Sequence, residues 1–577
     1  MRDLRSDHKI FGMGNDTWWK TATVYQIYPK SFQDSNGDGF GDLPGIRARL
    51  DHLERLGVEV VWLSPIYASP QADNGYDISD YRAIDPVFGT MDDFDALLAD
   101  IHRRGMKLVM DLVVNHTSDE HPWFVESRSG ADSPKRDWYW WRPPREGQAA
   151  GEPGAEPTNW RSFFSGPAWA LDEATGEYYL HLFDTKQPDL NWENPEVRHA
   201  VYDMMRWWLD KGVAGFRMDV INLISKDTSL PDAVVSSGSL GDGFPFVADG
   251  PRMHEFLQEM HREVFEGRDG TFLTVGEMPG VTCEEAVLYT DPARHEVDMV
   301  FQFEHVMLDR DAGGGFDVRP FDLLALKDTF GRWQSGLGEV GWNSLYWDNH
   351  DQARAVSRFG DDGEHWRDSA TALALLLHLH RGTPYVFQGE ELGMTNAGFS
   401  SIEHYRDVEA INMFAEGAGL GVDESAMLAW LAALSRDNAR TPVQWDATAN
   451  AGFTTGEPWL QVTANHVWLN AAAQYDDPDS VFRFYRRLIQ LRRDDEVVAL
   501  GDFEMLLPHH KQVYAFRRTL GERALVVVVN MSGADALADL DVAGASVVIE
   551  NMEAHAEGPA GNPTLSLAPW EARVYEV

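Results

Sequence analysis

Eight short apolar runs, rich in β-branched and aromatic residues, recur along this 577-residue chain, and segments with a helical period separate them. Several helical segments carry Pro near their start and Gly just past their end. Strand and helix alternating eight times at this length predict an α/β protein, a (β/α)8 TIM barrel. The predicted strands cover residues 23–29, 58–65, 107–116, 212–220, 271–277, 296–304, 343–351 and 383–391.

Two connections are too long to be simple loops. Residues 117–186, after the third strand, are rich in Trp, Gly and Pro and predict an inserted domain, while about 392–480 form a second insertion after the eighth strand. Both are expected to overhang the barrel mouth. The barrel itself is then made of 1–116 and 187–495, and the strand-only pattern of 496–577 predicts a C-terminal antiparallel β-sandwich.

Composition restricts the partners and the compartment. The chain has 49 basic and 92 acidic residues, a formal charge of −43, which would repel nucleic acids and anionic membranes. The single cysteine, Cys283, excludes an internal disulfide. No signal-peptide core and no apolar stretch of roughly 20 residues is visible. We therefore expect a cytoplasmic protein without nucleic-acid or membrane partners, either a monomer or a weak homo-oligomer.

The run GFRMDVINLI, from Gly215, places an arginine and an aspartate inside an otherwise apolar strand. Burying either charge unpaired would cost several kcal/mol. Strand side chains alternate faces, so Arg217 and Asp219 project the same way. We expect them to face a pocket, where the arginine keeps the aspartate ionised and oriented.

Polar residues follow the apolar bodies of several predicted strands. The C-terminal ends of barrel strands form one rim, where barrel enzymes build their active sites. A single acidic residue at such a place is more often a cap or a partner in an ion pair. Three carboxylates with histidines and an arginine beside them favour an active site. The residues are Asn115, His116, Arg217, Asp219, Glu277, Asn349, His350 and Asp351.

Glycoside cleavage is a reaction that needs several carboxylates and neither a thiol, a phosphate loop nor zinc. One carboxylate attacks the anomeric carbon or guides water, and another protonates the leaving oxygen. Beside an arginine, Asp219 is expected to have a low pKa and to suit the nucleophile. Glu277 follows the apolar run TFLTVGE, where burial would raise its pKa and keep it protonated as the acid.

These residues resemble the α-amylase superfamily of retaining glycoside hydrolases, and the resemblance covers essentially the whole chain. Its strand-end segments appear in order as DLVVNH (111–116), GFRMDV (215–220), VGE (275–277) and NHD (349–351), with QPDLNW at 187–192. The resemblance implies that Asp219 is the nucleophile, Glu277 the general acid/base and Asp351 the third carboxylate, which stabilises the transition state. It also implies that His116, Arg217 and His350 line the same subsite.

Further segments, such as DNGYDISDY (73–81) and SRDNARTPVQWD (435–446), look like those of oligo-1,6-glucosidases and dextran glucosidases. That resemblance implies that Asp73 pairs with Arg436 and closes a pocket around the terminal glucose. Tyr76 would be its stacking floor. A closed pocket means release of one glucose at a time. Phe164 and Gln187 match further positions around that pocket.

Val220, which follows the proposed nucleophile, is the residue that this branch associates with cleavage of α-1,6 bonds. A branched side chain there shapes the site of the leaving sugar, although valine is also simply a favourable strand residue. The expected substrates are isomaltose, isomalto-oligosaccharides and panose.

The stretch DSNGDGFGD (34–42) spaces its oxygen atoms like a calcium loop, but Gly45 stands where an EF-hand needs glutamate. From the residues alone, a Gly/Asn/Asp turn is an equal alternative. The resemblance implies a structural calcium ion, remote from catalysis, and no organic cofactor. The expected ligands are Asp34, Asn36, Asp38, the Phe40 carbonyl and Asp42.

Other activities of the superfamily stay open at this stage. Trehalose-6-phosphate hydrolysis would need a basic cluster near the leaving-group subsite, and a preference for α-1,4 bonds would contradict the interpretation of Val220. Sucrose isomerisation or transglucosylation would use the same intermediate with a sugar as acceptor. The run LDRD (308–311) partly resembles a loop of sucrose isomerases, with Met307 in place of the leading arginine. A non-catalytic binding subunit would lack the catalytic acids that this chain keeps.

Overall fold

The computed structural model describes residues 15–236, 238–310, 316–553 and 564–577. Eight parallel strands form its central sheet, which we number β1 to β8 along the chain. They are β1 Val24–Ile27, β2 Val60–Leu63, β3 Lys107–Val113, β4 Gly215–Asp219, β5 Leu273–Glu277, β6 Met299–Phe301, β7 Ser344–Leu345 and β8 Thr383–Phe387.

Each strand pairs with its neighbours in chain order, and β8 returns to lie beside β1, with Val24 opposite Tyr385. A bridge between Val300 and Asn343 joins β6 to β7 and closes the ring. The structure thus confirms the predicted (β/α)8 barrel. Because all strands run the same way, their C-terminal ends meet at one rim.

Glycine is required where β4 begins beside β5. Gly215 has φ +148°, and a Cβ atom built there would lie 1.9 Å from the carbonyl oxygen of Leu273. Only a residue without a side chain lets the two backbones approach this closely. This contact sets the position of the strand that carries Arg217 and Asp219.

Helices cover the outside of the barrel. The helix Pro195–Lys211 illustrates their signals: the Asn194 side chain caps its first turn, and Gly212 ends it in the left-handed conformation. The other helices around the barrel are Leu43–Ala48, Leu50–Leu56, Met91–Arg103, Phe244–Val247, Met253–Val264, Cys283–Thr290, Leu323–Gly336, Ala355–Phe359, Trp366–His378, Val481–Asp494 and Glu496–Leu500.

The insertion after β3 contains the helix Pro122–Ser127 and a three-stranded antiparallel sheet. Its strands are Trp141–Arg142, Trp169–Asp172 and Glu177–Leu180. A bridge between His116 and Asp189 holds the two ends of this insertion together beside the rim. A short hairpin of Tyr67–Ala68 and Asp80–Ile84 follows β2.

The insertion after β8 contributes the helices Val408–Gly419, Glu424–Leu434 and Ala471–Gln474. The first two share a small apolar core that includes Trp430, Leu431 and Leu434. This core is separate from the main core of the barrel, so the helices form a unit of their own at the mouth.

The C-terminal region is built from two antiparallel sheets, as predicted for a sandwich. Along Arg523–Asn530, Leu525, Val527 and Val529 pack into the main core, whereas Val526 and Val528 face the smaller sheet. Because of this alternation, the larger sheet is buried on both faces, one against the main core and one against the smaller sheet. Its strands are Asp502–Leu506, Val513–Leu520, Arg523–Asn530, Ala572–Glu576 and Ser546–Glu550, and the smaller sheet pairs Ala536–Asp539 with Thr564–Leu567.

Within the described ranges, none of the helices combines the length and the apolar character needed to cross a membrane.

Candidate active site

Arg217 lies at the centre of a cluster of buried carboxylates on the neighbouring strands β3, β4 and β5. Its Nη1 is 2.7 Å from Asp111 Oδ1 and 2.7 Å from Asp219 Oδ1, and its Nη2 is 2.5 Å from Glu277 Oε1. The strand register places Asp111 directly opposite Arg217. One guanidinium group therefore holds three acids from three strands in fixed positions.

The two charged side chains inside the apolar strand β4 are thus stabilised by pairing with each other. Arg217 and Asp219 lie on the same side of β4 and contact each other, as the two-residue period of a strand predicts. Arg217 is completely buried. Without the surrounding carboxylates its burial would be prohibitive.

The expectation of a low pKa for Asp219 is wrong. Burial raises the pKa of this carboxyl well above its ordinary value; Arg217 lowers it, but the charges of Glu277 and Asp111 raise it again. Burial likewise raises the pKa of Asp111 to about 6. The expectation paired one arginine with one aspartate, whereas in the structure one cation is shared by three acids. The cluster therefore favours keeping a proton.

Val220 lies at a sharp turn immediately after β4. Its backbone has φ 35° and ψ 42°, the left-handed region, which is costly for a β-branched residue. In this conformation its N–H donates a hydrogen bond to Glu277 Oε2 at 3.1 Å. The turn thus orients Glu277 and presents the Val220 side chain to the cavity.

Asp351 follows β7 by several residues and faces the cluster from the other side of the rim. Arg440 Nη2 lies 2.6 Å from its Oδ1, and Arg436 Nη1 lies 3.3 Å away. Burial alone would raise the pKa of Asp351, but the Nε2–H of His350 and the guanidinium groups of Arg436 and Arg440 hold it well below its usual range. Asp351 is therefore a permanently charged carboxylate.

His350 is fixed between aromatic rings beneath the cavity. Its ring stacks on Tyr76 with centroids 5.0 Å apart, and the Gln26 amide lies 2.9 Å from Nδ1. The amide N–H donates to Nδ1, so the ring proton is assigned to Nε2, which lies 3.2 Å from Asp351 Oδ2. Burial lowers the pKa of His350 to about 3, and the ring is neutral.

A second set of contacts closes the opposite wall. Gln187 Nε2 donates to Asp73 Oδ2 at 3.0 Å and lies 3.2 Å from His116 Nε2. Arg436 Nη2 is 3.6 Å from Asp73 Oδ1, and its guanidinium lies 5.0 Å from the Phe164 ring centroid. Burial raises the pKa of Asp73 to about 7 and lowers that of His116 to about 4.

These walls enclose a cavity of about 190 Å³. Arg217, His350 and Gln187 are fully buried beneath it and do not line it. They orient the residues that do. The lining consists of Asp73, Tyr76, His116, Phe163, Phe164, Phe183, Asp219, Val220, Leu223, Glu277, Pro279, Phe303, Asp351 and Arg436.

Several residues of this site were not predicted from the sequence. Asp111 receives hydrogen bonds from Tyr76 and Trp62, each at 3.1 Å, in addition to its contact with Arg217. An acid inside the apolar run KLVMDLVV is the same anomaly that drew attention to Arg217, and it could have been found. Arg440 and Asp407, which hold Asp351 and Arg436, come from the second insertion. Arg440 lies in the segment SRDNARTPVQWD that carries the resemblance, whereas Asp407 gave no sequence signal.

The proposed calcium loop is held by its own hydrogen bonds. Asp34 accepts the backbone N–H groups of Asn36, Gly37 and Gly39, and Asp42 caps the helix Leu43–Ala48. Among the residues that the structure describes, no group of three or more His, Cys, Asp or Glu side chains is arranged to hold a metal ion. The Asn36 side chain and the Phe40 carbonyl are not among these four ligand types, and calcium at this loop stays a prediction of the resemblance.

The LDRD run lies beside the second insertion. Asp309 pairs with Arg358 at 2.6 Å, and the Arg310 guanidinium lies 5.8 Å from the Trp430 ring centroid. Asp311 lies outside the described residues. Through the Arg310 contact, the described part of the run packs against the second insertion at the barrel mouth.

The family model described as "Alpha amylase, catalytic domain" matches residues 26–501 of this chain. An oligo-1,6-glucosidase of Parageobacillus thermoglucosidasius is 54% identical over 97% of this chain and 99% of its own length. An oligo-1,6-glucosidase of Halalkalibacterium halodurans is 53% identical over 97% of this chain and 98% of its own. A crystal structure of Bacillus licheniformis trehalose-6-phosphate hydrolase superposes with a TM-score of 0.91 at 46% identity, covering 97% and 99% of the two chains.

Proposed function

This chain belongs to the α-amylase catalytic-domain family, and we propose that it is an exo-acting α-glucosidase. Its substrates would be short α-1,6-linked glucosides such as isomaltose, isomalto-oligosaccharides and panose. The observation that carries the proposal is that Asp219, Glu277 and Asp351 line one small cavity. Two relatives that align over nearly the whole chain are oligo-1,6-glucosidases, which supports the choice of linkage.

In the first step, Asp219 attacks the anomeric carbon of the terminal glucose while Glu277 protonates the departing oxygen. Both carboxylates contact neighbouring nitrogens of the same guanidinium group. This shared anchor keeps them close together, which suits the separation of about 5 Å in retaining enzymes better than the roughly 6.5–9.5 Å of inverting ones. Burial raises the pKa of Asp219, yet attack requires this carboxyl to be ionised, so the mechanism requires the one proton of the cluster to lie on Glu277 when the substrate is bound.

In the second step, Glu277, now deprotonated, removes a proton from water, and the water attacks the glucosyl ester of Asp219. The Val220 N–H fixes Glu277 in both steps. Asp351 stays charged because His350, Arg436 and Arg440 surround it. It would stabilise the oxocarbenium-like transition state and bind the hydroxyl groups of the distorted ring.

Release of one glucose at a time follows from the closed wall. Asp73, Arg436 and Phe164 end the cavity, and its volume of about 190 Å³ is below the roughly 300 Å³ at which sites for drug-sized ligands begin. One sugar ring fits there, and a continuing chain has no exit. The substrate must therefore present a non-reducing end.

Trehalose-6-phosphate hydrolysis is the second candidate, because the superposed crystal structure is that of a mutant of a protein named trehalose-6-phosphate hydrolase. A phosphate at the leaving sugar needs a cation that is free to pair with it. Arg436 is the one Lys or Arg among the described residues that line the cavity, and it already contacts Asp73, Asp351, Asp407 and Glu409. Arg436 is therefore not free to pair with a phosphate in this cavity, which holds the terminal glucose, and assay with trehalose 6-phosphate distinguishes the two candidates.

Glucose release from isomaltose, panose, maltose, sucrose, trehalose and trehalose 6-phosphate tests the proposal directly. We expect isomaltose and panose to be cleaved fastest. Faster cleavage of maltose would remove the role assigned to Val220, and faster cleavage of trehalose 6-phosphate would establish the second candidate. Isomeric disaccharide products from sucrose would identify an isomerase.

We further propose that the protein acts in the cytoplasm as a monomer or weak homo-oligomer. The single cysteine supports a reducing compartment, and the excess of 43 negative charges disfavours nucleic acids and anionic membranes as partners. Size-exclusion chromatography with light scattering, over a range of protein concentrations, would establish the oligomeric state.

A further inference from the structure

We propose that the protein has a second binding site, for one neutral sugar unit, in a cavity beside the candidate active site. The cavity has a volume of about 440 Å³ and lies between residues 164–185 of the first insertion and the helix Val408–Gly419 of the second. Phe164 and Phe183 line both cavities and form the wall between them. The proposal is independent of the reaction assigned to the neighbouring site.

Aromatic rings provide the apolar part of this cavity. Trp169, Phe164 and Phe183 line it together with Ala170 and Pro167. The C–H faces of a pyranose ring pack on aromatic rings of this kind. An apolar lining with a few polar groups, at a volume within the usual range of roughly 300–1,000 Å³, is typical of sites for small molecules.

A buried histidine without a complete set of partners points to a ligand. His181 is 3% exposed and lines the cavity. Its Nδ1 lies 3.0 Å from the carbonyl oxygen of Phe183, so this nitrogen carries the proton and donates it. Nε2 has no hydrogen-bond partner among the described residues. Burial lowers the pKa of His181, which leaves Nε2 a neutral acceptor for a hydroxyl group.

Two further polar side chains complete the recognition of hydroxyl groups. Asp184 Oδ1 accepts the Lys186 N–H at 2.9 Å and the Thr185 hydroxyl at 3.4 Å, while its Oδ2 has no partner within the described structure. Thr185, next to it, lines the same cavity. None of the ten described lining residues is Lys or Arg, so an anion would meet no cationic side chain and would be repelled by the Asp184 carboxylate. An uncharged polyhydroxyl ligand satisfies these groups.

The cavity is a fixed feature because its two sides are joined directly. Asn412 Nδ2, on the helix of the second insertion, donates to the carbonyl oxygen of Phe164 at 3.1 Å. Arg161 forms an ion pair with Glu416 of the same helix. These contacts hold the two insertions together beside the space that the ligand would fill.

Saturation-transfer NMR with glucose tests the site in solution. The active site is first filled with 1-deoxynojirimycin, an imino sugar, at the concentration that stops hydrolysis. We expect the wild-type protein to retain a glucose signal under these conditions. In Ala170→Trp the added indole fills the cavity, and the signal should fall to the level measured without protein. The matched control Ala149→Trp, at an exposed position of the same insertion, should keep it.

Thr185→Val removes a polar partner of the ligand while keeping the shape of the side chain, and it should weaken the glucose signal. This variant tests the site even if Ala170→Trp fails to fold. Hydrolysis of p-nitrophenyl α-glucoside by each variant checks folding, because neither residue lines the active-site cavity. Loss of the wild-type glucose signal when the imino sugar is added would overturn the proposal. An equal signal in wild type, Ala170→Trp and Thr185→Val would do the same.

Discussion

At the scale of single residues, the site depends on one cation shared among several acids. Arg217 contacts Asp111, Asp219 and Glu277 at once. It fixes the geometry of the two proposed reacting carboxylates, but it cannot neutralise all three. The remaining electrostatic strain favours one bound proton, and retaining hydrolysis begins with one protonated acid.

We expect Glu277→Gln to separate the roles of the two carboxylates. Without an acid, kcat on isomaltose should fall by about 10²–10⁴. The loss should be much smaller for p-nitrophenyl α-glucoside in the first step, because its leaving group departs without a proton. Pre-steady-state release of p-nitrophenol measures this step. Equal losses on both substrates would contradict the acid role.

At the scale of secondary-structure elements, the sequence predicted the strands and their polar ends well. The period of two and the apolar bodies of β1 to β6 and β8 are local properties. β7 was harder to predict, because the run 343–351 contains only two residues that form a strand, Ser344–Leu345. Asp351 reaches the site through the loop that follows, and its approach depends on Arg436 and Arg440 from the second insertion. Such long-range contacts have no local pattern.

Lys226 links the loop after β4 to the end of the first insertion. Its Nζ lies 2.9 Å from Asp189 Oδ2 and donates to Asn115 Oδ1 at 3.0 Å, and both charged side chains are fully buried. Lys226→Met would leave the Asp189 carboxylate buried and unpaired. We expect the free energy of unfolding to fall by about 3–5 kcal/mol.

Urea unfolding monitored by tryptophan fluorescence measures this loss. The double variant Lys226→Met with Asp189→Asn should recover a large part of it, since no unpaired charge remains. A single variant as stable as the wild type would show that the pair contributes nothing to folding.

At the scale of the whole molecule, the barrel and the C-terminal sandwich followed from the order of predicted elements. The way in which the two insertions meet over the rim did not follow from that order. The contact of Asn412 with Phe164 joins positions 248 residues apart in the chain, and no periodicity encodes it. The cavity beside the active site forms where the two insertions meet, so it could not be predicted from the sequence.

Buried neutral histidines should make stability sensitive to acid. Burial lowers the pKa of His378 in the folded protein to about 3, against about 6.5 in an unfolded chain. Between these values only the unfolded chain binds the proton, so this contribution to stability is lost as the pH falls below about 6.5. In His378→Leu this contribution is absent. The slope of the free energy of unfolding against pH should therefore be smaller than in the wild type, by on the order of 1 kcal/mol per pH unit below about pH 6.5.

Urea titrations of both proteins between pH 7 and pH 5 check this difference. The comparison removes the effect of the other buried groups, which titrate in both proteins. Parallel stability curves would show that His378 is protonated in the folded state or is not buried.

The predicted calcium ion would act on the stability of the whole molecule. If the loop of Asp34 to Asp42 binds it, EGTA should lower the melting temperature, because a ligand bound only by the folded state stabilises it. Asp38→Asn should weaken this response. Identical melting curves with calcium and with EGTA would show that the loop is held by its hydrogen bonds alone.

The central claim is that Asp219 and Glu277 act on one anomeric centre by double displacement, with a covalent glucosyl intermediate. Proton NMR of the glucose first released from p-nitrophenyl α-glucoside, recorded before mutarotation, tests it most directly. The account predicts α-glucose, the configuration of the substrate. Initial release of β-glucose would contradict it.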